Sequence, residues 1–153
     1  VNGRGFGRKT LYIRDAVKYL KRKYDTNEPF DLAKQLDIIV LITELDRSLN
    51  GYFQYFKRNK IIYINSHLKE KHMRLVAAHE LGHAILHVKT NSIYMQNSTF
   101  FVSQKLENEA NIFAAELLLP EDLSEKYPEY FTFQQVSIAE EMPIEYITHM
   151  STK

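Results

Sequence analysis

Residues 75–86 read LVAAHELGHAIL, and Glu80 is the one charged side chain among them apart from the two histidines. A helix that is apolar on nearly all sides is a buried helix. A buried carboxylate without a partner is costly, and a nearby divalent cation would stabilise its charge. The segment therefore predicts a buried helix, over about residues 69–87, that carries a metal site.

The two histidines of this segment, His79 and His83, are four residues apart. On a helix this spacing places both side chains on one face, roughly 5–6 Å apart at Cβ, so both imidazoles can reach one zinc ion at ~2.0–2.1 Å. Glu80 is turned by ~100° from His79, which favours a role as general base rather than as ligand. The alternative is a buried helix whose histidines are only hydrogen-bonded.

A catalytic zinc ion usually has three protein ligands, and His87 is the next histidine along the chain. It cannot complete the same site, because it lies ~12 Å beyond His79 along a straight helix. The metzincin pattern fails as well, since Leu86 stands where that pattern has glycine and Lys89 where it has a third histidine. We therefore expect His87 to be structural, to support a ligand, or to face the substrate.

A second long helix is predicted over residues 103–118, with Ser103 as its N-cap and Pro120 just after its end. Its apolar positions form one stripe at helical spacing. The members of this stripe are Leu106, Ala110, Phe113, Ala114, Leu117 and Leu118.

The acidic residues of this second helix are candidates for the third ligand. At ~100° per residue, Glu107 falls on the flank of the apolar stripe and is the preferred ligand, although it could also be a solvated or capping acid of the first turn. Asn111 lies one turn further on the same face, where it can hydrogen-bond a ligand imidazole. Glu109 falls on the opposite flank, and we expect it at the surface beside Lys105.

The remaining pattern predicts an α+β fold with a small, mainly antiparallel sheet of three strands packed on helices. We expect a flexible segment over residues 1–9 and a single domain over residues 10–153. The predicted elements are a helix over residues 10–24, a short helix from Pro29 to Leu36, a buried strand from Ile38 to Leu45, a hairpin of Tyr52–Phe56 and Ile61–Ile64, and short helical pieces broken at Pro128 and Pro143.

The composition limits the chemistry of the site. The 153 residues include no cysteine, which excludes disulfides, thiolate zinc sites and cysteine nucleophiles, so a metal must be held by His, Asp or Glu. The net charge of +1 indicates no general affinity for nucleic acid or for anionic membranes. No signal-peptide pattern opens the sequence, and we expect a cytoplasmic protein with no direct nucleic-acid partner.

Two longer motifs carry a resemblance to a known family. Residues 79–87 read HELGHAILH and residues 107–120 read ENEANIFAAELLLP. In order and separation they resemble the ImmA/IrrE metallopeptidases. The resemblance implies a zincin-like fold, one zinc ion held by His79, His83 and Glu107, and Glu80 as the base.

The resemblance also implies a substrate class, namely helix-turn-helix repressors of mobile elements or stress responses. Candidates for an oxyanion donor or a substrate contact are His87, Tyr94 and Tyr63, and an extended substrate could pair with either strand of the hairpin. A different hypothesis is a regulatory or binding module that sequesters a repressor, with a metal that is structural or absent.

Residues 136–147 faintly resemble a helix-turn-helix themselves. The second of these helices would carry Glu145 and no basic residue before Lys153, whereas a DNA-reading helix normally needs basic or amide side chains. We therefore interpret this segment as helices that pack against the catalytic unit.

Overall fold

The computed structural model describes residues 3–88 and 100–150 of the chain. The elements in chain order are α1 (Gly3–Tyr24), α2 (Pro29–Gln35), β1 (Ile39–Thr43), β2 (Gly51–Phe56), β3 (Asn59–Asn65), α3 (Glu70–Leu86), α4 (Phe100–Leu118), a 3₁₀ turn (Leu123–Glu125), α5 (Phe133–Glu140) and α6 (Ile144–Ile147). The buried helix predicted around the two histidines is confirmed as α3.

The three strands form one mixed sheet in the order β1–β3–β2. The hairpin pairs β2 with β3 in antiparallel fashion, and β1 takes the other edge of β3, to which it runs parallel. The α+β class is confirmed, but the expected mainly antiparallel sheet is half parallel. The difference arises because β2 follows β1 in sequence yet lies on the far side of β3.

A single buried amide shapes the loop that joins β1 to β2. The Asn65 side chain is fully buried and donates to the carbonyl oxygens of Leu45, Asp46 and Leu49 at 3.2, 3.1 and 2.9 Å. Its oxygen accepts from the Leu45 amide at 3.3 Å. These bonds satisfy backbone groups that have no strand partner, and they fix the path of the chain into β2.

Strand β1 was expected to be buried, and this expectation is wrong. Ile39, Leu41 and Ile42 are 43%, 44% and 52% exposed, whereas Ile38, just before the strand, is buried. An apolar run indicates a buried strand only where elements cover both faces of the sheet. Here β1 is an edge strand, and its consecutive residues Leu41 and Ile42, which point to opposite faces, are both exposed.

The connection between β2 and β3 is a two-residue turn formed by Lys57 and Arg58. Their φ angles of 47° and 66° are both left-handed, as a type I′ hairpin turn requires. The sequence predicted a four-residue connection because neither residue is the Asn or Gly that usually marks this turn.

Two helices begin earlier than their sequences indicated. Helix α1 starts at Gly3 rather than residue 10, and the separate flexible segment stays a prediction. Helix α4 starts at Phe100, so Ser103 lies inside the helix and is not its N-cap. Both helices end where predicted, at Tyr24 and Leu118.

Helix α3 lies between the sheet and helix α4, and Gly82 permits its close contact with α4. A Cβ atom at Gly82 would lie 3.1 Å from the Phe113 Cβ and 3.2 Å from the Ala110 Cα. Most real Cβ contacts are longer than this. The close approach of α4 accounts for a glycine inside a helix, where it costs about 1 kcal/mol relative to alanine.

The last helix packs on α4, in agreement with the interpretation of this segment from the sequence. Helix α6 contacts α4, and Ile147 and Met150 are buried in the shared core. Among residues 3–88 and 100–150, no helix is both long enough and apolar enough to cross a membrane.

The two helical glycines give a matched test of the α3–α4 contact. Gly7→Ala on α1 meets nothing within 4 Å and should raise the free energy of unfolding by about 0.5–1 kcal/mol through helix propensity. Gly82→Ala should lower it by about 1 kcal/mol or more, because crowding exceeds that gain. Urea unfolding measures the free energy of unfolding of both variants. Equal stabilisation by Gly7→Ala and Gly82→Ala would show that the α3–α4 contact does not require a glycine.

A buried ion pair at the far end of α4 predicts a pH dependence of stability. Glu116 is buried, with the Arg14 Nε at 3.0 Å and the His149 Nε2 at 3.4 Å from its carboxylate. Burial acts to raise the pKa of Glu116, but His149 and Arg14 outweigh it, and the net shift is downward. The charged form therefore stabilises the fold above the ordinary pKa of 4.5, and this stability is lost as the pH falls through the lower folded value.

Glu116→Gln should accordingly reduce the free energy of unfolding by about 3 kcal/mol at pH 7, since a buried charge loses its partner. The difference from the unmutated protein should shrink below pH 4.5. Glu121→Gln, in an exposed pair with Lys18, is the control and should change stability by less than about 1 kcal/mol. A pH-independent difference for Glu116→Gln would contradict the assignment.

Candidate metal centre

His79 and His83 on α3 meet Glu107 on α4 in a cluster of three potential ligands. The two imidazole Nε2 atoms are 3.2 Å apart. The Glu107 oxygens lie 3.1 Å from the His79 Nε2 and 3.0 Å from the His83 Nε2. Within the described residues, this is the one group of three His, Asp or Glu side chains that could hold a metal ion.

The distances fit a shared metal ion. Two ligand atoms at ~2.0–2.1 Å from one tetrahedral ion are about 3.3 Å apart. The three separations of 3.0–3.2 Å are close to this value. Two imidazole nitrogens and a carboxylate also match the donor set of catalytic zinc sites.

The local fold explains why the three side chains converge. The i, i+4 spacing on α3 aligns His79 with His83. The close contact at Gly82 brings α4 within reach of the His83 ring, and Glu107 lies one turn before Ala110, where α4 touches that glycine. The helix contact and the ligand cluster are thus parts of one arrangement.

Electrostatic interactions favour the metal-binding form of Glu107. Burial acts to raise the pKa of Glu107, but its hydrogen bonds with His79 and His83 and their charges hold the pKa far below the usual range. The carboxylate is therefore ionised at neutral pH, and an ionised carboxylate is the form that binds a cation.

The burial expected for the α4 acids is inverted. The Glu107 side chain is 42% exposed and faces the cleft, whereas that of Glu109 is 6% exposed. Helix α1 covers the flank of α4 that was predicted to face solvent, so α4 is buried on several sides. The apolar stripe could not reveal this, because it reports only one face of a helix.

The general-base candidate Glu80 is 6% exposed and lines the same cleft as His79 and Glu107. Burial acts to lower the pKa of His79, but Glu107, Asn111 and the charge of Glu80 outweigh it, and the same charge adds to the effect of burial in raising the pKa of Tyr146. Asn111 also lines the cleft and hydrogen-bonds His79, where the sequence placed it.

The structure adds Tyr146, which the sequence did not indicate. Its hydroxyl lies 3.2 Å from the His79 Nδ1, the nitrogen that faces away from the ligand cluster. Burial, together with the charges of Glu107 and Glu80, raises the pKa of Tyr146, so the phenol stays protonated at neutral pH. Tyr146 lies 67 residues from His79 in sequence, and no local pattern links the two.

His87 and Tyr63, two of the proposed substrate contacts, do not line the cleft. His87 is buried and lies between the His83 Nδ1, at 3.0 Å, and Glu109, at 2.7 Å. Tyr63 stacks on Tyr52, and its hydroxyl donates to the Gln54 Oε1 at 3.2 Å. Tyr94 lies outside the described residues.

The cleft has a volume of about 690 Å³ and is bordered by four parts of the chain. The end of the β1–β2 loop contributes residues 48–50, with Gly51 at the start of β2, and α3, α4 and α6 contribute the rest. Its ionisable residues besides the histidine and tyrosine are Glu80, Glu107 and Glu145. The cleft is open to solvent.

Comparison with known sequences also indicates a protein that binds a metal ion. The family model of the IrrE N-terminal-like domain, a peptidase family, matches residues 33–146. This chain belongs to the ImmA/IrrE family of metallopeptidases. The mixed sheet on helices agrees with the zincin-like fold of that family.

Two relatives illustrate the membership in the ImmA/IrrE family. The chain is 40% identical over 134 residues to uncharacterized immunity region protein 2 of Bacillus phage phi105. The aligned region covers 87% of this chain and 85% of that relative. The chain is 32% identical over 137 residues to metallopeptidase ImmA of Bacillus subtilis strain 168. Here the aligned region covers 85% of this chain and 79% of the relative.

The ligand cluster can be tested by metal binding alone. Glu107→Gln should weaken the binding of added Zn²⁺ by more than about 100-fold, because a direct ligand contributes at least as much as its supporting partners do. Glu145→Gln removes a carboxylate of the same cleft that lies outside the cluster, and it should leave the affinity nearly unchanged. Competition with a chromophoric chelator measures both, and equal losses would show that the cluster is not the site.

Proposed function

We propose that this chain is a zinc-dependent endopeptidase that hydrolyses a peptide bond in a protein substrate. The observation that carries the proposal is the meeting of two histidines and Glu107 at an open cleft that also contains Glu80. Similarity to the metallopeptidase ImmA supports the same reaction class. Zinc is the proposed metal because the donor set is two imidazoles and one carboxylate.

A bound zinc ion supplies a positive charge that acidifies water and polarises a peptide carbonyl. Glu80 accepts the proton from the attacking water and returns it to the leaving amide nitrogen. Tyr146 holds the His79 ring at the nitrogen that faces away from the cluster, and Asn111 hydrogen-bonds the same ring. In this proposal Glu80 transfers the proton, whereas Tyr146 and Asn111 keep His79 in place.

An extended substrate has one strand edge available beside the cleft. Strand β3 is central and already paired on both sides, so the hairpin strand Ile61–Ile64 cannot receive a further strand. Strand β2 is an edge strand, and Gly51 at its start lines the cleft. We therefore propose that the substrate adds to β2, with its scissile bond next to the ligand cluster.

The proposed substrate is a helix-turn-helix repressor of a mobile element or a stress response, cleaved in the cytoplasm. The support is the resemblance of the two long motifs and the similarity to an immunity region protein of a phage. Among the described residues that line the cleft, none is a lysine or an arginine.

The decisive experiment uses the zinc-loaded protein and a helix-turn-helix repressor encoded beside its gene. Glu80→Gln should keep its zinc while cleavage falls by about 10²–10⁴-fold, because the proton acceptor is lost. Glu70→Gln, an exposed carboxylate in the first turn of the same helix, is the control and should cleave normally. Gel analysis of repressor fragments and metal analysis give the two readouts.

Cleavage by Glu80→Gln at the unmutated rate would overturn the catalytic proposal. An intact repressor held in a stoichiometric complex by the unmutated, zinc-loaded protein would instead support the binding-module hypothesis.

A further inference from the structure

A chain of three buried polar side chains runs away from the ligand cluster into the protein. The His83 Nδ1 lies 3.0 Å from the His87 Nδ1, and the His87 Nε2 lies 2.7 Å from the Glu109 Oε2. The side chains of His83, His87 and Glu109 are 1%, 5% and 6% exposed. Their partners are therefore protein groups rather than bulk water.

The direction of these hydrogen bonds is determined at both ends. At one end, the His83 Nε2 faces the cluster and needs a free lone pair to bind a metal, so the proton of the neutral ring lies on Nδ1. At the other end, an ionised Glu109 can only accept. His87 connects the two ends only if its Nδ1 accepts from His83 and its Nε2 donates to Glu109.

We propose that His87 and Glu109 are positioning residues that hold His83 in its metal-binding tautomer and ring orientation. The inference rests on the metal centre of the proposed function, and neither residue touches the metal or the substrate. A buried acceptor for the far nitrogen of a ligand histidine is a recognised way to fix its tautomer, and here the acceptor is a second histidine anchored on a carboxylate.

The arrangement also connects the metal centre to α1. The Glu109 Oε1 accepts no hydrogen bond from the described residues, and the Lys9 Nζ lies 3.9 Å from it. Helix α1 lies outside the part of the chain that matches the family model. The Glu109 carboxylate, which sets the direction of the hydrogen bonds, is therefore paired with Lys9 of α1, a helix outside the region that matches the family model.

The test replaces Glu109 with glutamine, which keeps the shape but can donate as well as accept. Glutamine allows the reversed chain, in which His83 accepts at Nδ1 and carries its proton on the ligand nitrogen. Glu109→Gln should therefore weaken Zn²⁺ binding by about 10–100-fold. The readout is chelator competition at a pH and temperature where the variant is folded, so it does not depend on peptidase activity.

Glu116→Gln is the matched control, because Glu116 is an equally buried, paired carboxylate on the same helix. Both substitutions should lower stability, whereas only Glu109→Gln should change the Zn²⁺ affinity. If Glu109→Gln binds Zn²⁺ as the control does while Glu107→Gln has lost it, the positioning role is wrong and the metal centre stands. If Glu107→Gln also binds normally, the metal centre itself is wrong.

A second measurement needs no substitution at His87 or Glu109. It tests the positioning role directly if Glu109→Gln does not fold. Long-range ¹H–¹⁵N spectra of the zinc-loaded protein report which nitrogen of each imidazole carries a proton. The expected pattern is a proton on Nδ1 of His83 and on Nε2 of His87. A proton on Nδ1 of His87 would overturn the proposal, because that nitrogen could not then accept from His83.

Discussion

The close contact of α3 with α4 at Gly82 is the constraint on which the candidate metal centre depends. His79 and His83 belong to one helix and Glu107 to the other, so the separation of the helices sets the separation of the ligands. Without a Cβ at Gly82, the backbone of α4 at Ala110 can approach α3 closely enough for a carboxylate one turn away to reach both imidazoles. Gly82 therefore allows the helices to pack closely, whereas His79 and His83 on either side of it are the candidate ligands.

Helix α4 connects the metal centre to the rest of the fold through three acidic side chains. Glu107 meets the histidines of α3, and Glu109 meets His87 just after the end of α3. Glu116 meets Arg14 of α1 and His149 near the C-terminus. Glu109 and Glu116 are buried and Glu107 faces the cleft, and each of the three has a partner from outside α4.

The sequence predicted the ligand cluster because the i, i+4 rule is local and because the second motif narrowed the choice of acid. Helical phase selected Glu107 but misjudged its surroundings, since the phase of one helix cannot report which other elements cover it. The same limit explains why Glu109 and strand β1 were assigned the wrong burial. Tyr146 could not be inferred at all, because its contact with His79 depends on how the C-terminal helices fold back.

The buried amide of Asn65 has a consequence for how this cleft can change over evolution. Its four hydrogen bonds reach only backbone atoms of Leu45, Asp46 and Leu49. The path of the loop toward the rim of the cleft is thus set by one residue of β3 together with Asp46 of the loop itself, whose carboxylate accepts from Ser48. Substitutions at the other rim positions, Leu49 and Asn50, would therefore change the side chains that face the cleft while these hydrogen bonds keep the backbone in place.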